Sequence, residues 1–364
     1  MLFIIRRVTK SHAAVKQIRH KRRLSQACCN ALKEKMHTKK HPFGKFAAII
    51  IICVLVLLSA CSQTNSDVSS DKIRIITVNF PPADFSRMIG KDLVEVRQLL
   101  LPGVESHVFE PTPQDIIEIR EADLFIYGGG LSDTWVENLL KDNEISPDNT
   151  LIMMDYVTAV TEEIIRGMQH EHDQDHAGEI DDDDNHHRQE KDEHVWTDPK
   201  NAIKISEAIQ DKLIALDPDN AGEYRTNYNA FAKELNDLDD KWSSAVADNE
   251  RDVLIFADRF PFRYLTDAYG LKYYAAFPGC SAETEPNPAT IVFLINKVRD
   301  ESIPYIFTIE MSNQALAKTV AEETGAEILQ LHSIHNRTVE EAAEAVSYLE
   351  LMYKNLENVT KALN

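Results

Sequence analysis

Thirteen histidines, five cysteines and 59 acidic side chains are the groups in this 364-residue chain that can hold a cation or move a proton. Nine of the histidines follow Cys61, and they fall into two classes. Five of them, His170, His172, His176, His186 and His187, crowd one acidic stretch. The other four, His107, His194, His332 and His335, stand in sequence of ordinary complexity. His107 follows an apolar run and Pro102-Gly103, His332 closes another apolar run, and His194 opens a helical pattern. A single histidine is more often a satisfied polar residue than a ligand. Three or more at one rim point to a transition metal, because neutral imidazole suits zinc, copper and nickel. A zinc hydrolase would use the same donors, but neither H-E-x-x-H nor a G-x-S-x-G nucleophile elbow occurs in the chain.

These donors need a frame. Apolar runs at 73–78, 94–101, 124–127 and 151–154 read as strands, with helical stretches at 114–121 and 135–140 between them. The alternation restarts with strands at 253–257, 273–277, 305–310 and 327–331, helices at 263–269, 289–300 and 313–324, and one final helix over 339–363. A further helix spans 202–216. After it, Tyr224, Tyr228, Phe231, Leu235, Leu238 and Trp242 recur at spacings of three and four, the stripe of one long helix. The fold class expected is α/β: two Rossmann-like lobes with parallel sheets, bridged by that helix. The N-terminal lobe would cover 72–220 and the linker helix 221–249, with the C-terminal lobe over 250–364. In open parallel sheets ligands bind beyond the carboxyl ends of the strands, which is where His107 and His332 fall.

The stretch 168–193 is nearly all His, Asp and Glu and cannot bury a core, so it reads as an insertion in the first lobe. Its imidazoles and carboxylates suit weak metal capture near the cleft. Charge is otherwise strongly asymmetric. Residues 1–60 hold 13 Lys/Arg and one acid, leaving 26 basic residues against 58 acidic ones in the rest. Such a surface repels nucleic acid and favours cations. In the basic head, the uncharged run 46–58 is preceded by Lys39, Lys40 and Lys45 and followed by Ser59-Ala60-Cys61. That is the layout of a secretory signal, too short for a spanning helix of about 20 residues. Translation is expected to begin at Met36. Cys61 then heads a tether, 61–71, and resembles the acylated cysteine of bacterial lipoproteins, which would anchor the protein to the outside of the cell membrane. Beyond it only Cys280 remains, so no disulfide framework is expected.

Gly103 to Asp115 (Gly-Val-Glu-Ser-His-Val-Phe-Glu-Pro-Thr-Pro-Gln-Asp) resembles the G-x-x-x-H-x-(F/Y)-x-P-T-P-x-D segment of the zinc/manganese substrate-binding lipoproteins of ABC transporters, cluster A-I. His194-Val195-Trp196 with Asp198-Pro199 is similar to that family's second ligand motif, and Ala257 to Leu271 to its third. The resemblance runs over about residues 71–362. It implies an extracytoplasmic receptor that takes Zn2+, with Mn2+ as the alternative cargo, into the cleft between lobes and delivers it to an ABC permease. The receptor would be monomeric, without enzymatic activity or a nucleic-acid partner; some lipoproteins of this family are also described as adhesins. Carried over residue by residue, the ligands are His107, His194 and His332. The third family position falls on Ala257, which cannot ligate, so Asp258, His335, Cys280 or a water is left to complete the site. Three nitrogen donors favour zinc over manganese. Glu283 and Glu285 match a family turn and are expected to cap a helix. Glu310 is a rim carboxylate able to orient a ligand imidazole.

Overall fold

The computed structural model describes residues 72–105, 109–142, 145–165, 168, 191–247, 249–280 and 286–364, all within one compact unit, Ser70–Asn364. The signal region, the tether with Cys61, His107, most of the His-rich insertion, Glu283 and Glu285 lie outside the described residues. Among the described residues no helix is long and apolar enough to cross a membrane.

The first lobe runs β1 (Ile73–Thr77), α1 (Phe80–Gly90), β2 (Val94–Gln98), α2 (Pro113–Arg120), β3 (Leu124–Tyr127), α3 (Thr134–Lys141) and β4 (Thr150–Ile152). Its four strands are parallel in the order β2-β1-β3-β4. Both faces are covered, as parallel sheets require, and the period-2 alternation divides β1 and β3 between two cores. Ile73, Ile75, Leu124 and Ile126 enter the largest core, while Ile76, Phe125 and Tyr127 enter a smaller one behind the sheet.

The second lobe repeats the plan with β5 (Val253–Phe260), α6 (Arg263–Tyr269), β6 (Lys272–Pro278), α7 (Pro288–Asp300), β7 (Tyr305–Thr308), α8 (Ala315–Thr324), β8 (Glu327–Gln330), α9 (Val339–Ala343) and α10 (Tyr348–Leu363). The order is β6-β5-β7-β8, again all parallel. Two helices join the lobes: α4 (Pro199–Leu216) and the 27-residue α5 (Ala221–Ala247), about 40 Å long at 1.5 Å per residue. The stripe buried on α5 holds Tyr224, Phe231, Leu235, Leu238 and Trp242. It packs against α1 and α4 on one side and α10 on the other. One apolar core therefore runs continuously from Ile73 to Leu363, and the joint between lobes is packed rather than a loop hinge.

Three local features depart from the sequence reading. Helix α1 has no counterpart among the expected elements; Pro81 and Pro82 sit in its first turn, where amides have no intrahelical partner to lose. The single C-terminal helix is two, because Ala345 takes a left-handed conformation (φ 55°) and Ser347 starts α10 with a reciprocal cap to Glu350. The first described residue after the His-rich run is Lys191, inside the stretch read as insertion, and Asp192 and Glu193 are buried.

Candidate metal centre

Both sheets change direction of growth beside their first strand, between β1 and β3 and between β5 and β7. Such switch points open a crevice at the carboxyl ends of the strands. A small cavity at the first is lined by Val78, Asn79, Gly128, Asp133, Glu193 and His335. Its neighbour at the second is lined by Glu105, His194, Pro261, Glu310, Ser333 and His335. His335 belongs to both, so the crevices of the two lobes meet at one imidazole.

Around that imidazole the structure gathers one set of metal donors among the described residues: Glu193, His194 and His335, whose ligand atoms all lie within 4.8 Å of one another. All three residues are buried. Donors around a tetrahedral ion at about 2.1 Å stand about 3.4 Å apart, so shifts of up to about 1 Å per donor would close the set on one cation. The rings of His194 and His335 are 5.4 Å apart and perpendicular (89°).

Each donor is held by its own local structure. His194 precedes a single 3-10 turn, Val195–Thr197, which leads into α4. Its backbone N–H and its Nδ1 both lie on one oxygen of Asp192, at 2.8 and 2.9 Å. With Nδ1–H directed at that carboxylate, Nε2 is the nitrogen left to serve a metal, the arrangement that fixes the tautomer of many ligand histidines. Burial alone would lower the basicity of His194, but the charges of Asp192, Glu193 and Glu162 outweigh it and carry the pKa above the ordinary histidine value. Glu193 accepts from the Ser132 hydroxyl (2.6 Å) and the Ser132 amide (3.1 Å). Next to it, burial and the Glu193 charge push Asp133 up to about 7, although the amides of Gly129 and Gly128 stabilise its anion.

His335 is presented by the loop after β8, fixed from several sides. Glu310 accepts from the amide (2.7 Å) and hydroxyl of Ser333. The Trp196 indole donates to the Ser333 carbonyl (2.9 Å), and His335 O accepts from the Phe80 amide (3.1 Å) in the other lobe. Ile334 adopts φ 62°, a strained value for a β-branched side chain and a kind of outlier that clusters at functional sites. It is held there by its amide donating to Nδ1 of His332 (2.9 Å).

The expected ligands therefore separate. His194 lies in the cluster. His107 is outside the described residues, although Glu105 and Phe109 on either side of it line the two cavities. His332 stands apart from the cluster, with both ring nitrogens engaged: Nδ1 by the Ile334 amide, Nε2 by Glu341 (3.1 Å). His335, one of the candidates for the open fourth position, lies in the cluster. Asp258 caps the Arg259 and Ile309 amides (2.9 and 3.3 Å) and, with Ala257 and Arg259, lines a separate cavity of about 490 Å³. The Cys280 thiol is pushed up by burial and by the charges of Glu193, Glu162 and Asp192, which disfavours the thiolate a metal needs. Glu310 acts through Ser333, with His332 Nδ1 at 3.7 Å. Glu193 was not legible as a donor, since in sequence it is one more acid at the end of an acidic run.

The family profile described as zinc-uptake complex component A, periplasmic, matches residues 75–362. The chain belongs to this family. The zinc-binding lipoprotein AdcA of Streptococcus pneumoniae is 30% identical over 305 residues, 84% of this chain. The chain spans only 58% of that protein's length. The high-affinity zinc uptake system protein ZnuA of Bacillus subtilis is 28% identical over 326 residues, covering 88% of this chain and 98% of ZnuA. Among solved structures, the Zn(II)-bound ZnuA-like domain of S. pneumoniae AdcA superposes with a TM-score of 0.64 at 27% identity, over 80% of this chain and 99% of that domain. The family's two-lobe α/β architecture is the one described above.

Proposed function

We propose that this protein is an extracytoplasmic receptor that captures Zn2+ in the cleft between its lobes and delivers it to an ABC importer. The observation that carries the reading is the convergence of His194 and Glu193 from the first lobe with His335 from the second on one buried point. Two imidazoles and a carboxylate form a borderline donor set of the kind that suits zinc. His107, whose described neighbours Glu105 and Phe109 line the same cavities, would supply a third nitrogen. With three nitrogens and one oxygen, zinc is favoured over manganese, which prefers more oxygen donors. With His107 as the fourth donor the set would be closed and would leave no position for a reacting water, as suits a carrier rather than a hydrolase. Acylated Cys61 would hold a monomeric receptor at the outer face of the cell membrane beside its permease.

The test is elemental analysis of the protein purified from a medium holding zinc, manganese and nickel together, followed by calorimetric titration of the stripped protein. One zinc per chain, bound tightly and with thermal stabilisation, is the expected result. Manganese at one per chain, or no bound metal, would refute the zinc reading.

A further inference from the structure

The His-rich insertion leaves and re-enters the first lobe through a short stem, and one hydroxyl from the second lobe holds both of its arms. Thr161 and Lys191 form an antiparallel bridge across the stem, and the Asp192 amide donates to Val160 O (2.9 Å). Tyr264, on α6, accepts from the Val160 amide (3.3 Å) and donates to Asp192 O (2.8 Å). Tyr264 is 4% exposed, and burial pushes its phenol well above the ordinary tyrosine value, so it keeps the proton it donates. Asp192 in turn fixes His194 through two bonds to one carboxylate oxygen.

We infer that Tyr264 is a positioning residue for metal capture, acting on the imidazole of His194 from the opposite lobe through the backbone and carboxylate of Asp192. The inference rests on the proposed zinc reading and adds a residue that touches no metal donor. A hydroxyl at the base of the insertion sets the register of the stem, the stem places the Asp192 carboxylate, and the carboxylate selects which nitrogen of His194 faces the cleft. Because Tyr264 belongs to the second lobe, a first-lobe ligand is oriented by a contact made across the lobes.

Tyr264→Phe keeps the buried ring and removes only the hydroxyl. Partners one bond away from a metal ligand contribute about 10–100-fold to affinity. Tyr264 acts one step further out, so a loss of about 10-fold in Zn2+ affinity is expected, read by competition with a chromophoric chelator. Asp192→Asn should cost about 10–100-fold, and the double variant should bind no more weakly than Asp192→Asn alone, as coupled residues in one chain do. Tyr269→Phe is the control for a merely structural role. It lies on the same helix and its hydroxyl bonds Asp239 (3.0 Å), outside this chain of contacts, so its affinity should match wild type. The Co2+ absorption bands should shift in Tyr264→Phe and not in Tyr269→Phe. Wild-type affinity in Tyr264→Phe, or a penalty that adds in full to that of Asp192→Asn, would overturn the inference while leaving zinc capture standing. A wild-type protein that binds no zinc would overturn both.

Discussion

Two histidines three residues apart on one loop offer a sharp test, because the structure gives them opposite tasks. His335 faces His194 and Glu193, whereas His332 bonds Glu341 and the Ile334 amide. Structural zinc sites bind with about 10–16 kcal/mol. Shared among four ligands this is about 3 kcal/mol each, so His335→Ala should weaken zinc binding by about 10²-fold. The metal-free fold should tolerate the change, since the ring sits at the cleft wall. His332→Ala should do the reverse. It strips a buried partner from Glu341 and Glu310, at a cost of about 1–3 kcal/mol in stability, and should change zinc affinity by no more than a few-fold. Chelator competition measures the first quantity and calorimetric melting of the stripped protein the second. If His332→Ala abolished tight binding while His335→Ala retained it, the assignment of the ligand loop would be refuted.

The His332–Glu341 pair also predicts a pH profile. Burial opposes ionisation of Glu341, but its bonds to His332 and Thr338 outweigh this and hold it at about 2, so its contribution is present above 4.5 and lost as the pH falls towards 2. Burial likewise opposes protonation of His332, but Glu310 and Glu341 raise its pKa above 6.5; its ion pairs are therefore full below 6.5, at the loss of the Ile334 amide's acceptor on Nδ1, and are lost as pH rises through the raised value. The stability gap between wild type and His332→Ala should therefore be widest between about pH 4.5 and 6.5; a gap that grows steadily towards alkaline pH in chemical denaturation would contradict this. Gly279→Ala would bring a methyl to 2.9 Å from Phe260 O and 3.2 Å from Cε1 of His194, so zinc affinity should fall in a chelator assay, and an unchanged affinity would show that the site has slack there. Deleting residues 169–190 while keeping Lys191, Asp192 and Glu193 should preserve the tight site and remove a weaker class of binding; identical titration isotherms would show that the insertion captures no metal.

Most of the frame was legible in the sequence because period-2 strands and the stripe of α5 report burial directly. The 3–4 spacing from Tyr224 to Trp242 marks the face that α5 buries. Helix α1 was not assigned from the sequence; its two prolines fall in the first turn, the place in a helix that tolerates them. At the site, the motif singled out His194, which lies in the donor cluster, whereas which of His332 and His335 faces that cluster could not be read. It depends on a left-handed Ile334, a conformation that isoleucine would not suggest, and on Asn355, which accepts from the His332 amide and donates to its carbonyl. Asp192 and Glu193 merged with the acids before them, and only burial distinguishes them. Charge composition reports solvation well and says little about which member of a run turns inward.

The matching strand orders of the two sheets have a bearing on how such a receptor changes cargo. Each lobe ends its strands at the shared seam and hangs its donors from the turns beyond, leaving the cores to carry stability. On the proposed reading, a substitution at Glu193 or His335 would alter which ion is preferred while leaving the apolar cores of the two lobes as they are. Selectivity can thus drift along the rim while the scaffold stays constant, and a laboratory redesign for a different cation need repaint only those few turns.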